Sequence, residues 1–502
     1  MPTSRIPIDT GTVNNPEDIP GAASSFVNWT IDGAGSGIPK TRPAITNVLF
    51  DTANNGKSTG TNQNIIGMYI WRNVIDLRDY LIYVRADRYI VAQNLLTLQK
   101  YTLSTTDVTT QLEGAGRATF AEDSLRLIIA GGGALQTWGG DVTGLTSRLA
   151  SFVVGTNQPP RAATHVTKLA NYIIANNQYP GSFNQYIWSN LGDGNDANWN
   201  PLNFNTADAR PDPAVGVFDN LRELYIFGTQ TIQVYGITAD ANLPFQAAPA
   251  LNIGTLSPYS PIVLDTQFAF FDHLRRFVIS DGRSYQVISD VIAHDLRTIS
   301  TVNDCFGFRC QVGWWDLLLW VFPTAGLAWY YELNQKKWGQ WKSWNTTQGA
   351  FISPRIGAYA FYPGGNRHFI GDSAFENVLT FDLDSYLDIA LNGTVTEPVV
   401  AEIVTPRLDY STGKRKRCNS VTLYLTRGKA SGLAIECSKK DDEGPWSSPA
   451  LIDLGTQTGD VTNWKNWYPG GIYRRRQYKF RYSGADDSVI AAVEEDYSVM
   501  TS

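Results

Sequence analysis

Leu224-Tyr-Ile-Phe-Gly228 followed by Thr231-Ile-Gln-Val-Tyr235 sets two short apolar runs on either side of a turn, the pattern of a pair of antiparallel strands. The same unit recurs along the chain. Before it come Tyr80-Leu-Ile-Tyr-Val84 with Tyr89-Ile-Val91, Leu125-Arg-Leu-Ile-Ile-Ala130 with Leu135-Gln-Thr-Trp138, and Tyr172-Ile-Ile-Ala175 with Gln185-Tyr-Ile-Trp188. After it come Phe277-Val-Ile-Ser280 with Tyr285-Gln-Val-Ile288, Leu317-Leu-Leu-Trp-Val321 with Leu327-Ala-Trp-Tyr-Tyr331, and His368-Phe-Ile370 with Val378-Leu-Thr-Phe381. Successive pairs begin roughly 40 to 55 residues apart, the length of one four-stranded blade in a radially repeated architecture. The repeat predicts an all-β fold, a β-propeller of about six or seven blades. The competing arrangement is an irregular stack of β-sandwiches, because the repeat is one of texture and not of identical residues.

Outward from these pairs the texture changes at both ends. Residues 1–61 are rich in Gly, Pro, Asn and Ser and read as an extended N-terminal arm. The propeller is expected over 62–391. Beyond Asn392-Gly393 the rhythm stops, and Val421-Thr-Leu-Tyr-Leu425, Leu433-Ala-Ile-Glu-Cys437 and Tyr478-Lys-Phe-Arg-Tyr482 predict a β-sandwich-like platform or docking domain over 392–502. One stretch argues for helix: 68–111 contains neither Gly nor Pro, and Val74, Leu77, Leu81, Val84 and Arg88 fall at helical spacing. The runs at Tyr80–Val84 and Tyr89–Val91 favour a hairpin there.

Charged residues are 18% of the 502, aromatics are 12%, and Trp alone counts 15. Average soluble chains carry about 25% charged residues, so disorder is excluded for most of the length. The formal net charge is -6, whereas a protein gripping nucleic acid through its overall field should be basic. Cys305, Cys310, Cys418 and Cys437 are too few for a disulfide framework and lack zinc-site spacing; all four read as small buried apolar residues. Met1–Asp9 has neither the charged start nor the apolar core of a signal peptide, and the longest apolar run, Trp314–Phe322 broken by Asp316, is short of a membrane span. The expectation is a soluble chain made in a reducing cytosol, with no membrane span.

The residues that could carry chemistry are sparse. His165, His273, His294 and His368 sit in no metal-ligand or catalytic spacing, and the zinc-protease, nucleophile-elbow and P-loop signatures are absent. No catalytic, cofactor-binding or metal-binding residue is expected. Leu191-Gly-Asp-Gly-Asn-Asp196 offers oxygen ligands from Asp193, Asn195 and Asp196 on a Gly-rich loop but lacks the closing glutamate of a calcium loop, so an ordinary polar loop is preferred. Ser438–Trp446 has the outline of a sialidase Asp box and is read as a plain hairpin. Basic residues cluster twice, at Lys414, Arg415, Lys416 and Arg417 and at Arg474, Arg475 and Arg476. These are candidate subunit or partner contacts, or a solvated edge that discourages strand addition. Three successive arginines in a strand cannot share one face, so at least one should turn away from the others.

Several segments resemble a known family. Tyr186–Asn190, Trp199–Phe204, Asp212–Tyr235, Pro244-Phe-Gln246, Gly254-Thr-Leu-Ser-Pro-Tyr-Ser-Pro261, Phe268–Phe271 and Ser280–Ile288 are similar to the packaged-DNA stabilisation, or tail hub and nozzle, proteins of short-tailed bacteriophages. Asn28-Trp29 and Arg42-Pro43 resemble that family's N-terminal arm, with Ala44 where Gly is often found. The resemblance implies a virion protein of the phage tail, assembled in the host cytoplasm as a homohexameric ring below the portal-adaptor protein. It further implies contacts with a tail needle or plug and with tail fibres or spikes, and genomic double-stranded DNA passing through without sequence-specific binding. Net charge -6 suits a tube in which phosphates must slide. The rival reading is a propeller that binds or cleaves carbohydrate with a pair of carboxylates, which spacing does not identify.

Overall fold

The computed structural model describes residues 3–6, 8, 25–31, 39–48, 64–103, 116–142, 150–151, 162–178, 181, 183–194, 199–200, 202–207, 210, 212–240, 242–389, 396–426, 433–454, 462–486 and 488–500. Within them seven four-stranded antiparallel units follow one another, at 65–102, 119–151, 166–206, 216–247, 262–287, 306–341 and 358–382, the last completed by Ala44–Asn47. The fold is a β-propeller.

Each pair read from the sequence is a hydrogen-bonded hairpin inside one unit; Leu224 faces Tyr235 and Tyr225 faces Val234, for example. In the fifth unit the pair is the third and fourth strands, because Phe268–Phe271 supplies the second. In the other units it is the second and third. The stretch with helical spacing is built from strands Ile65–Arg72, Asp79–Arg85, Ile90–Asn94 and Lys100–Thr102. Two of its regularly spaced positions, Leu77 and Arg88, take left-handed backbone (φ 55° and 70°) in the turns, so their spacing reports hairpin length and not a helical face.

The units are held to one another by apolar layers, one per junction. Trp71 meets Trp138 between the first and second units at 4.9 Å, Tyr186 meets Tyr235 between the third and fourth at 4.9 Å, and Phe277 stacks on Trp320 between the fifth and sixth at 4.3 Å. Ring pairs of this kind add about 0.5–1.5 kcal/mol each beyond the area they bury. The high aromatic content is therefore used between the blades. The ring closes where Ile65, Met68 and Leu81 of the first unit pack with Ala358, Ala360 and Phe369 of the seventh.

Strand Ala44–Asn47, on the arm side of the expected 61/62 boundary, pairs with Val378–Asp382 from Asn47↔Leu379 to Ala44↔Asp382. Strand Ser25–Val27 lies between Lys337–Trp341 of the sixth unit and Thr396–Val404. Hydrogen bonding thus runs from the sixth unit through the arm into a C-terminal sheet of Thr396–Val404, Arg476–Gly484, Ala434–Asp441 and Ala450–Asp453. A second sheet orders Thr3–Ile6, Ile490–Val499, Lys416–Thr426 and Thr462–Trp467, with Ile472–Tyr473 also paired to Lys416–Thr426. Ile435, Tyr478 and Phe480 of the first sheet share a core with Val421, Leu423 and Val493 of the second, the sandwich arrangement. All four cysteines are buried and free. Among the described residues no helix is long and apolar enough to cross a membrane.

Candidate functional site

The two basic clusters, about 60 residues apart in sequence, meet in space because Lys416–Thr426 begins beside Ile472–Tyr473, with Lys416 opposite Tyr473. Burial then sorts the side chains. Lys416 turns inward and is buried, while Lys414, Arg415 and Arg417 are exposed. Arg474 and Arg475 occupy the turn after Tyr473 and are exposed, while Arg476 opens the next strand and is buried.

The two buried cations serve the fold. Lys416 Nζ donates to the carbonyls of Thr412 at 2.8 Å, Lys414 at 3.2 Å and Arg474 at 2.7 Å, tying both clusters together through backbone. Burial holds the Lys416 ammonium below the usual lysine range, opposed by Asp409, Glu495 and Asp442. The Arg476 guanidinium forks onto Asp441, donates to Gly470 O at 2.8 Å and lies 4.0 Å from the Tyr473 ring centroid. Behind it the fully buried Glu495 carboxylate accepts hydrogen bonds from Tyr410 and, at 2.6 Å, from Tyr473. Lys416 and Arg476 are therefore closed off from a partner; Arg476 alone of the three arginines turns inward, and it does so as the first residue of its strand, since Arg474 and Arg475 precede the strand.

Three of the exposed members, Arg415, Arg474 and Arg475, line a cleft of about 750 Å³ together with Gly413, Ile472 and Tyr473, with Asp442 and Glu443 in its wall. Both wall carboxylates are engaged. Asp442 accepts the N–H groups of Arg474 and Arg475 at 3.0 and 2.9 Å; the Arg475 N–H foremost, and the Arg474 charge, hold it below the usual carboxylate range. Glu443 is paired with Arg407 at 2.7 Å. The cleft can hold anionic groups by charge and hydrogen bonding. The Asp-box outline at Ser438–Trp446 is the turn of the Ala434–Asp441 and Ala450–Asp453 hairpin, and its acids are those just described.

A second set of polar groups lies on the first strands of the units. Glu122 and Asp219 are both held above the usual carboxylate range, chiefly by burial, and both raise the neighbouring Tyr69 phenol, itself raised mainly by burial. Lys168 opposes the shift at Glu122, and the Thr167 hydroxyl donates to Asp219. Nearby, a pocket of about 200 Å³ is lined by His165, Thr119, Thr167, Phe218 and Tyr259. His165 stacks on Tyr259 at 4.4 Å with Nε2 3.1 Å from Pro258 O, and burial pushes it down to about 4. These carboxylates could not have been picked from spacing, since they come from different units.

Asp193 pairs with Arg126 at 3.1 Å, and Asn195 and Asp196 lie outside the described residues. Among the described residues no group of three or more His, Cys, Asp or Glu could hold a metal ion.

A family model described as bacteriophage P22 Gp10, β-propeller, of the phage stabilisation family, matches residues 83–385. Comparison with curated proteins gives no match. Among solved structures, an exo-β-1,3-galactanase from Phanerochaete chrysosporium with β-1,3-galactotriose is 10% identical with a TM-score of 0.28, covering 78% of this chain and 97% of its own. YCF48 from Cyanidioschyzon merolae is 11% identical with a TM-score of 0.37, covering 67% of this chain and 98% of its own. The extracellular domain of a putative hybrid two component system from B. thetaiotaomicron is 12% identical with a TM-score of 0.33, covering 82% and 43%.

Proposed function

The chain belongs to the phage stabilisation β-propeller family, and from that premise we propose that it is a non-enzymatic part of the tail hub or nozzle, a ring below the portal-adaptor protein. The ring retains packaged double-stranded DNA and conducts it outward at ejection. The match over 83–385 carries this reading; family membership makes the chain a phage structural protein, and the virion is where such a protein works.

Charge supports the mechanism. A net charge of -6 per chain, multiplied around a homohexamer, repels phosphates at long range, so the duplex is confined without being gripped. Retention is then mechanical: a rigid ring, stiffened by apolar layers at each blade junction, narrows the exit until a needle or plug is displaced. The exposed basic rim of the C-terminal sandwich is left for partner proteins such as the adaptor or the fibres and spikes.

Particles assembled with and without this chain test the reading. With it, the genome should stay protected from added nuclease; without it, filled heads should lose their DNA. Equal protection in both would overturn the proposal.

A further inference from the structure

We infer that the cleft between Gly413–Arg415 and Ile472–Arg475 is a docking site for an extended acidic peptide segment of a partner protein. The inference rests on the cleft alone and does not require the hub reading.

Charge is the first ground. Lys414, Arg415, Arg417 and Arg474 are exposed and have no carboxylate within ion-pair distance among the described residues, in a chain whose net charge is -6. By contrast Arg407 is paired with Glu443 and Arg481 with Glu402. Of the two wall carboxylates, Glu443 is paired with Arg407 and Asp442 faces the Arg474 charge, so the three lining arginines, Arg415, Arg474 and Arg475, outnumber them.

Surface chemistry is the second. The cleft lining exposes Ile472, at 52%, next to Tyr473 and Arg474, and Tyr468, at 70%, lies four residues before Ile472 in the chain. Trp, Tyr and Arg are the side chains that dominate protein–protein binding energy when a partner covers them. Their presence favours a polypeptide over a bare polyanion.

The field of the whole molecule is the third. A DNA duplex spans many Debye lengths and meets the net negative chain, whereas a short peptide samples only the local basic rim within about 8 Å. An extended segment can also place alternate side chains on the apolar floor and the cationic rim.

Fluorescence anisotropy of the full chain with a short labelled peptide of alternating Glu and Leu, and separately with a short duplex DNA, tests this. The peptide should bind, more weakly as salt rises, and the double variant Arg415→Glu, Arg474→Glu should weaken it at least about tenfold. Both substituted residues are exposed, so thermal unfolding should be unchanged and loss of binding is separable from loss of fold. Absence of peptide binding, equal binding by the double variant, or tighter binding of the duplex would each overturn the assignment. So would a change in the chain's own oligomeric mass in the double variant, since the occupant would then be a second copy.

Discussion

The Arg42 guanidinium, fully buried, forks onto the carboxylate of Asp388, with Nη1 3.0 Å from Oδ1. The same guanidinium donates to Asn28 Oδ1 at 2.9 Å, Pro43 O at 2.8 Å and Lys342 O at 3.0 Å, and Asp388 accepts the Ile45 N–H at 2.9 Å. One ion pair therefore fastens the arm to the end of the sixth unit, to the strand that completes the seventh, and to the sandwich. Breaking a buried pair strands a charge at a cost of about 3–5 kcal/mol. Arg42→Ala should lose that much in denaturant unfolding, and Arg42→Lys should recover only part of it because an ammonium cannot fork. A loss under about 1 kcal/mol for Arg42→Ala would show that the pair does not hold the arm.

His165 makes stability depend on pH. Its folded value of about 4 lies below the unfolded value of about 6.5, so between these the unfolded chain binds more protons and acid favours unfolding. The contribution is fully present above about pH 6.5 and is lost as pH falls toward 4. Wild type should lose roughly 2 kcal/mol between about pH 7 and pH 5 relative to His165→Gln. Parallel pH profiles for the two proteins would refute the burial assigned to the ring.

Gly254 lies against the backbone of the neighbouring turn: a Cβ there would sit 2.3 Å from Gln230 N and 2.5 Å from Gly228 O. Backbone cannot step aside as a side chain can. Gly254→Ala should cost about 1–3 kcal/mol by overpacking, read as a lowered unfolding midpoint, whereas Gly236→Ala, which meets nothing within 4 Å, should be near neutral. Similar midpoints for both would count against the close approach.

The arginines at 474 and 476, two positions apart, should behave oppositely. Arg476→Ala removes the guanidinium that faces the fully buried Glu495 and forks onto Asp441 and should cost about 3–5 kcal/mol. Arg474→Ala changes only an exposed side chain and should stay within about 0.5 kcal/mol. Urea unfolding of the pair of variants decides it, and equal losses would contradict the burial that separates them.

That contrast shows what the sequence could and could not disclose. The hairpins were legible because each is two apolar runs across a short turn, a local signal. The first strands of the units were not: Ile262–Val263 is two residues long and Gly216–Asn220 is half polar, and both are fixed by neighbouring units. Ala44–Asn47 joins a unit more than 300 residues away, a pairing that nothing local encodes. Among the basic residues, type and spacing marked the clusters, but which of them face inward depends on the register of Lys416–Thr426 against Ile472–Tyr473. Glu122 and Asp219 became neighbours of Tyr69 only through ring closure.

The carbohydrate reading has its own check. Incubation of the purified chain with oligosaccharides should release no sugar, and Glu122→Gln and Asp219→Asn should leave every measured property but stability unchanged. Sugar release by wild type that either variant abolishes would establish the rival.

The central claim is that this chain works by building a ring. Mass measurement and imaging of the purified full-length protein mixed with the portal and its adaptor address it directly. The account predicts sixfold rings seated on the adaptor; a protein that stays monomeric and unattached in that mixture would contradict it.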